Sequence, residues 1–368
     1  MRIFAVAGEP SGDLRAAEVV THLVGAHGAT ISGMGGRHMA SAGAEIIHDI
    51  SGCAVMGFGE VLGSLARFAR LEKALRAACL AFRPDAVLLV DYPGFNLRFA
   101  AWASRAGFRV FYYVSPQLWA WGGWRLSKVA RHVDLMITLF SFEADFYAGR
   151  GIRVFWAGHP LVDAVKDTSP GGNRLALLPG SRAQEVSRLL PVMLSCAGSL
   201  WRQGLVEGAD IAVSDALDRR FYREAESEPF ARLVDGTGPA LENAAAALVC
   251  SGTATLEAAL RMIPFVVMYR TSPATYAAAR LLVRGVDGIC LANIVAGRRV
   301  APELLQGRAT APLAETELVP LLPGGRARSA ALEAMGRVRS ALGPPGGAAR
   351  AAARIALELG GKVDPCLI

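Results

Sequence analysis

The sequence predicts an α/β protein of two doubly wound domains facing a cleft, and three observations carry that expectation. Short apolar runs alternate with longer helical stretches along the chain, the rhythm of parallel layers. The alternation breaks at the turn-rich segment Asp167-Thr168-Ser169-Pro170-Gly171-Gly172-Asn173 and then restarts. A length of 368 residues suits two domains of about 150 each.

The elements follow in order. Ile3–Ala7 is a strand, followed by the loop Gly8-Glu9-Pro10-Ser11-Gly12-Asp13 and an amphipathic helix through about Val24. Ala86–Val90 is a fully apolar run that ends at Asp91-Tyr92-Pro93-Gly94-Phe95-Asn96. Arg109–Val114 repeats the pattern and ends at Ser115-Pro116-Gln117, and Leu135–Leu139 and Val154–Trp156 add two more strands. Beyond the break, Arg174–Leu178 is a strand, Pro179-Gly180-Ser181-Arg182 a loop and Ala183–Trp201 a helix. Ser181 and Gln184 have the spacing of a capping box. Strands follow at Asp210–Val213, Ala246–Cys250 and Pro264–Tyr269. A Gly-Pro break at Gly343–Gly347 precedes an Ala-rich closing helix, Ala348–Leu359. The expected domains are residues 1–166, completed by 346–368, and residues 173–342, both Rossmann-like.

Composition narrows the class. With 52% hydrophobic and 19% charged residues the chain is neither disordered nor fibrous. A mean hydropathy of +0.33 raises the question of a membrane span. The longest uncharged stretch, Val110–Trp124, holds Pro116, Gly122 and Gly123 and falls short of the roughly 20 apolar residues a spanning helix needs. The opening apolar run is too short for a signal peptide. Six widely spaced cysteines without Cys-x-x-Cys fit neither zinc nor a disulfide frame and suggest the cytosol. A net charge of +7 suggests an anionic partner, but only four of the 39 basic residues are Lys and no dense basic block exists, so nucleic acid is disfavoured.

Ligands of open α/β sheets bind beyond the carboxyl ends of the strands, and four such ends carry small or polar clusters. Gly180, Ser181 and Arg182 lead into a helix, where backbone amides and a guanidinium suit a phosphate; an ordinary strand–turn–helix with a Ser cap explains them equally well. Ser251-Gly252-Thr253-Ala254-Thr255-Leu256-Glu257 repeats the arrangement. Its hydroxyls and amides suit a diphosphate and Glu257 the hydroxyls of a ribose, the other reading being an N-cap cluster. Asp91 is a candidate general base or a turn cap. Glu9 and Asp13 are further acidic candidates, and His159, expected at the inter-domain crossing, ranks below Asp91. No Asp-x-Asp or His/Cys cluster suggests a metal, and no cofactor is expected. Val55, Met56, Phe58, Val61 and Leu62 run into a helix with Leu65, Phe68, Leu71 and Leu75 beside Arg67, Arg70, Lys73 and Arg76. That pattern suits either an anionic bilayer surface or a helix packed on a sheet.

Together the motifs AGEPSGD, VMGFGEVL, DYPGFN, YYVSPQLWAW, AGHPL, LPGSRAQEV, SGTATLE and LANIVAGRRVAPELLQ, in this order over about residues 7 to 306, resemble the lipid-A-disaccharide synthase family. The resemblance implies a GT-B fold and a metal-independent, inverting glycosyltransferase. Such an enzyme joins UDP-2,3-diacylglucosamine to 2,3-diacylglucosamine 1-phosphate, giving a β-1′,6-linked disaccharide and UDP, at the cytoplasmic face of the inner membrane. It places Asp91 as base and Arg182, Ser251, Gly252, Thr253, Thr255, Glu257 and Asn293 on the UDP side. It leaves Glu9, Ser11, Gly12, Asp13 and His159 as acceptor-side candidates, and raises the membrane reading of Val55–Leu75. Ala292, Ser141 and Gly94 depart from the family pattern. The alternatives are another GT-B enzyme acting on UDP-N-acetylglucosamine, a lipid-linked transferase or an epimerase, and a membrane-docking protein without activity. A dinucleotide oxidoreductase is disfavoured because Gly-x-Gly-x-x-Gly is missing after the first strand. Oligomeric state is left open.

Overall fold

The structure is a computed structural model and describes residues 1–50, 61–165, 171–242, 244–273, 276 and 288–368, with backbone alone for 61–67. The described chain divides into two compact units, Met1–Pro160 with Gly343–Ile368, and Leu161–Leu342. Each is a parallel sheet between helices, as the alternation predicts.

The first unit holds seven strands: β1 (Arg2–Ala7), β2 (Thr30–Gly35), β3 (Glu45–Asp49), β4 (Ala86–Val90), β5 (Arg109–Tyr113), β6 (Leu135–Thr138) and β7 (Val154–Trp156). Their spatial order is β3-β2-β1-β4-β5-β6-β7, and every pairing is parallel. Chain order reverses at β1 and β4, the switch point where such sheets place their ligands. The second unit holds β8 (Arg174–Leu178), β9 (Gly208–Val213), β10 (Ala231–Asp235), β11 (Ala244–Cys250), β12 (Phe265–Tyr269) and β13 (Glu303–Leu305), in the order β10-β9-β8-β11-β12-β13. Its switch point lies between β8 and β11.

The central strands are continuous apolar runs because helices cover both faces. Ala86–Val90 and Ala246–Val249 are fully buried, as are Ile3–Ala7. Sequence patterning misses β2, β3, β10 and β13 for physical reasons. β2 carries Gly33 and Gly35, which read as turn residues, and β3 and β10 are edge strands with only partly buried or exposed side chains. β13 has three residues.

Of the apolar residues in the stretch that suits either a bilayer or a sheet, Phe68, Leu71 and Leu75 pack against the first unit's core, so from Phe68 onward the helix is seated on the fold. That helix spans Val61–Phe82. Val55, Met56 and Phe58 lie outside the described residues, as do Asp167–Pro170 of the expected linker; the side chains of Val61, Leu62, Leu65 and Arg67 are likewise undescribed. Among the described residues no helix is long and apolar enough to cross a membrane.

The closing helix, Gly347–Glu358, packs against the helix Pro10–His27 of the first unit. Its last residue ties it to the sheet: the Glu358 carboxylate meets Arg153 at 2.8 Å, Arg354 at 2.7 Å and Arg109 at 3.2 Å. Burial alone would raise the Glu358 carboxyl, but the charges of Arg153 and Arg354 outweigh it and hold the group below the usual range. A carboxyl lowered in the folded state stabilises above its unfolded pKa and loses that contribution as pH falls through the folded value. Glu358→Gln is therefore expected to destabilise the protein by about 1–2 kcal/mol at pH 7, reduced from a buried pair because the arginines are partly exposed. In urea titrations the gap to wild type should close as pH falls below about 4; a gap independent of pH would assign the effect to packing.

Candidate functional site

In the second unit, four strand ends open into one cavity of about 600 Å³. Its walls are Gly180, Ser181 and Arg182 after β8, Val213 to Ala216 after β9, Gly236 and Thr237 after β10, and Cys250 to Ala254 with Glu257 after β11. Parallel pairing brings these loops together, since all four strands end on one edge. Of the residues singled out in the sequence, Gly180, Ser181, Arg182, Ser251, Gly252, Thr253 and Glu257 line this cavity. Ser214, Asp215, Thr237 and Glu185 also line it, and sequence reasoning missed them. Ser214 and Asp215 were findable, because they end the expected strand Asp210–Val213.

Capping at the first loop differs from the expected Ser181/Gln184 box. The helix Ala183–Arg202 is capped by Glu185, whose carboxylate accepts from the amides of Ser181 at 3.1 Å and Arg182 at 3.3 Å. The same carboxylate pairs with the Arg182 guanidinium at 2.7 Å. Gly180 makes this possible: its φ is +113°, and a Cβ there would sit 2.5 Å from Glu185 Oε2. Two amides and one guanidinium thus converge on a single anionic group, the donor set a phosphate oxygen would also use.

Glu257 takes the hydroxyl of Thr237 and lies 3.5 Å from Arg261 Nε. Ser251 Oγ donates to the Ile289 carbonyl at 2.7 Å, fastening this loop to the chain before Leu291. Thr255 and Asn293 do not line the cavity. Thr255 is fully buried and donates to the Gly252 carbonyl at 2.8 Å. Asn293 donates to Ala301 O and Glu303 Oε1 and accepts from Val300 N and Ala301 N. Both hold loops in shape, with Glu303 also accepting from the amides of Ile289 and Cys290.

In the first unit, Asp91 follows β4 on the same edge as the loop after β1. Asp91 and Tyr92 both have φ of +49°, a left-handed pair of non-glycine residues that costs on the order of 1–3 kcal/mol each. Neighbours impose it. The Asp91 carbonyl accepts from Tyr112 OH at 2.6 Å and from Asn96 Nδ2 at 2.8 Å, and the Asp91 amide donates to Tyr113 O at 3.0 Å. Buried Asn96 also reaches Val6 O and Val90 O, tying β1, β4 and this turn together. The Tyr92 ring lies over Gly8, where a Cβ would come within 2.1 Å of it. Burial raises the Asp91 carboxyl above the ordinary range, the charge of Glu9 adds to this, and a hydrogen bond from the Tyr92 backbone opposes it. A carboxylate made more basic and fixed at a strand end is equipped to accept a proton.

The other acidic and basic candidates separate by environment. Glu9 and Ser11 are exposed at the start of the first helix, and Gly12 is buried beside Asp91. Asp13 is buried, and its carboxylate accepts from the amides of Gly36 at 2.7 Å, His38 at 3.0 Å and Met39 at 3.2 Å; it caps a helix. His159 belongs to the first unit, packs on the Phe140 ring, and is pushed down to about 3 by burial and by Arg15. Its imidazole is neutral at neutral pH. Among the described residues, no three His, Cys, Asp or Glu side chains are grouped to hold a metal ion.

One carboxylate on this edge escaped sequence reasoning. Glu143 is buried and accepts from Trp119 Nε1 at 3.2 Å, and burial pushes it up to about 7 despite hydrogen bonds from the indole and from the Phe140 and Leu139 amides. A carboxyl raised in the folded state stabilises fully below its unfolded pKa, and that contribution is lost as pH rises through the folded value. Glu143→Gln should therefore be more stable than wild type by about 1–3 kcal/mol at pH 8. Denaturation midpoints should converge toward pH 4, and a variant less stable at every pH would show that ionised Glu143 is a net support.

Comparison with known proteins fits this architecture. Residues 3–344 match the family model described as lipid-A-disaccharide synthetase. The lipid-A-disaccharide synthase of Syntrophus aciditrophicus is 39% identical over 98% of this chain and 98% of its own. That of Myxococcus xanthus is 40% identical over 97% of each. Among solved structures, the calicheamicin glycosyltransferase CalG4 superposes with a TM-score of 0.63 at 15% identity, covering 99% of both chains. This last likeness shows the shared two-sheet GT-B fold.

Proposed function

This chain belongs to the lipid-A-disaccharide synthetase family, and we propose that it joins UDP-2,3-diacylglucosamine to 2,3-diacylglucosamine 1-phosphate with inversion. The products are the β-1′,6-linked disaccharide and UDP. The observation that carries the reading is the cavity of the second unit, where the loops 180–182 and 250–257 meet in a space of about 600 Å³.

The acceptor 6-hydroxyl attacks the anomeric carbon from the side opposite UDP, and Asp91 takes its proton. A carboxyl raised by burial and by Glu9 is a better base than an exposed one, which favours this role. Charge developing on the departing diphosphate is met by the Arg182 guanidinium, by the amides of Ser251, Gly252 and Thr253 and by the Thr253 hydroxyl. Glu185 presets that site by holding the Ser181–Arg182 loop. Glu257, positioned by Thr237 and Arg261, takes the ribose hydroxyls. No metal takes part in this scheme. Both substrates carry acyl chains, so the reading places the protein on the cytoplasmic face of the inner membrane, without crossing it.

The decisive assay mixes the protein with the two detergent-dispersed lipids and follows disaccharide and UDP, with and without EDTA. Equal product in both arms supports the full proposal; loss in EDTA restored by magnesium refutes the metal-free chemistry. Asp91→Asn keeps the shape and removes the basicity. Its turnover is expected to fall by about 10²–10⁴ with UDP affinity and melting temperature nearly unchanged. Near-normal turnover would move the base elsewhere. Arg182→Ala should weaken UDP binding by about 10- to 100-fold, the worth of one charge-assisted contact. Unaltered affinity by calorimetry would remove the nucleotide from this cavity.

A further inference from the structure

The loop after β5 carries three tryptophans, and the structure treats them differently. Trp119 is tucked in, its indole donating to Glu143 and its ring edge-on to Phe142. Trp121 and Trp124 point outward, 42% and 69% exposed. The Arg125 guanidinium lies 5.0 Å from one exposed ring and 5.6 Å from the other. The loop is well braced beneath them: Leu118 is buried, the amides of Ala120 and Trp121 donate to Gln117 O, and Arg125 N donates to Gly122 O. Two large apolar side chains are therefore held in water by a shaped backbone, which is unusual unless they meet a partner.

Charge identifies the partner. Between Asp91 and Asp134 the chain has no Asp or Glu, and the helix Leu126–His132 that continues the loop adds exposed Lys128 and Arg131. Indole rings prefer the headgroup level of a bilayer, and arginine and lysine reach from there to lipid phosphates. We infer that Trp121, Trp124, Arg125, Lys128 and Arg131 form a docking surface for an anionic phospholipid bilayer. The loop leaves the carboxyl end of β5, the strand paired with β4 and hence next to Asp91. Docking there holds the Asp91 edge of the first unit at the lipid surface. This deepens the proposed function and rests on its acyl-bearing substrates.

The test uses the full chain and vesicles of phosphatidylethanolamine with phosphatidylglycerol, containing neither substrate. Wild type should co-sediment, and its tryptophan emission should shift to the blue. Trp121→Ser with Trp124→Ser should abolish both signals. Lys128→Gln with Arg131→Gln, which leaves the loop's packing untouched, should weaken binding roughly thirtyfold. Vesicles of phosphatidylcholine alone should bind wild type no better than the charge variant binds the anionic ones. Undiminished vesicle binding by both variants overturns the proposal, as does wild type that ignores the vesicles and binds another protein through these residues. The variants should retain turnover on detergent-dispersed substrates; loss there would make the loop a sugar subsite and also overturn it. Failure of the function itself reads differently, as wild type that binds vesicles yet makes no disaccharide.

Discussion

Parallel pairing of fully buried strands is the constraint on which the rest of this structure depends. Once both faces of a sheet are covered by helices, every chain reversal must cross over, and all strands end on the same edge. The loops carrying Asp91, Trp119 and Glu143 thereby share one edge of the first sheet. The loops carrying Arg182, Asp215, Thr237 and Ser251 share one edge of the second and enclose a single cavity. Residues as far apart in sequence as Leu178 and Glu257 meet there, because the strands have no other way to pair.

A second regularity is the use of carboxylates and amides as fasteners at those edges. Glu185 holds the Ser181–Arg182 loop, Asp13 caps the helix after β2, and Asn293 with Glu303 shapes the chain beside Ser251. Each satisfies backbone amides that a loop at a strand end leaves without ladder partners. Their polar atoms are already engaged, so their contribution to chemistry is to fix where other donors point. Glu185 goes one step further, since the groups it binds are those a phosphate would bind. The fastener and the proposed ligand draw on the same donors.

Asp91 shows the opposite use. Its backbone is bound on both sides, by Tyr112, Asn96 and Tyr113, into a left-handed conformation that a non-glycine residue avoids alone. Two such residues in succession are tolerated because hydrogen bonds from β5 and from the buried Asn96 side chain determine them. The strain is carried by the backbone while the carboxylate is left to its surroundings, where burial and Glu9 raise its basicity. A turn-capping Asp would show the reverse, with a carboxylate engaged by several amides, as Asp13 is.

The sequence by itself determined the alternating α/β class, the central strands, the two strand-end clusters of the second unit and the candidate Asp91. These were legible because a strand buried on both faces must be apolar throughout, and because glycine and hydroxyl residues mark where such strands end. Edge strands β3 and β10 were not legible, since partial burial lets polar residues alternate with apolar ones. Tertiary structure alone decided which marked residues face the cavity and which brace it. Thr255 carries the same hydroxyl as Thr253, and only the path of the chain buries it and turns it onto the Gly252 carbonyl, as it turns the Asn293 amide onto the chain at Val300 and Ala301. It alone decided that Phe68, Leu71 and Leu75 face the core while Trp121 and Trp124 face outward. Apolar character is a property of the residue, whereas exposure depends on what the rest of the fold packs against it.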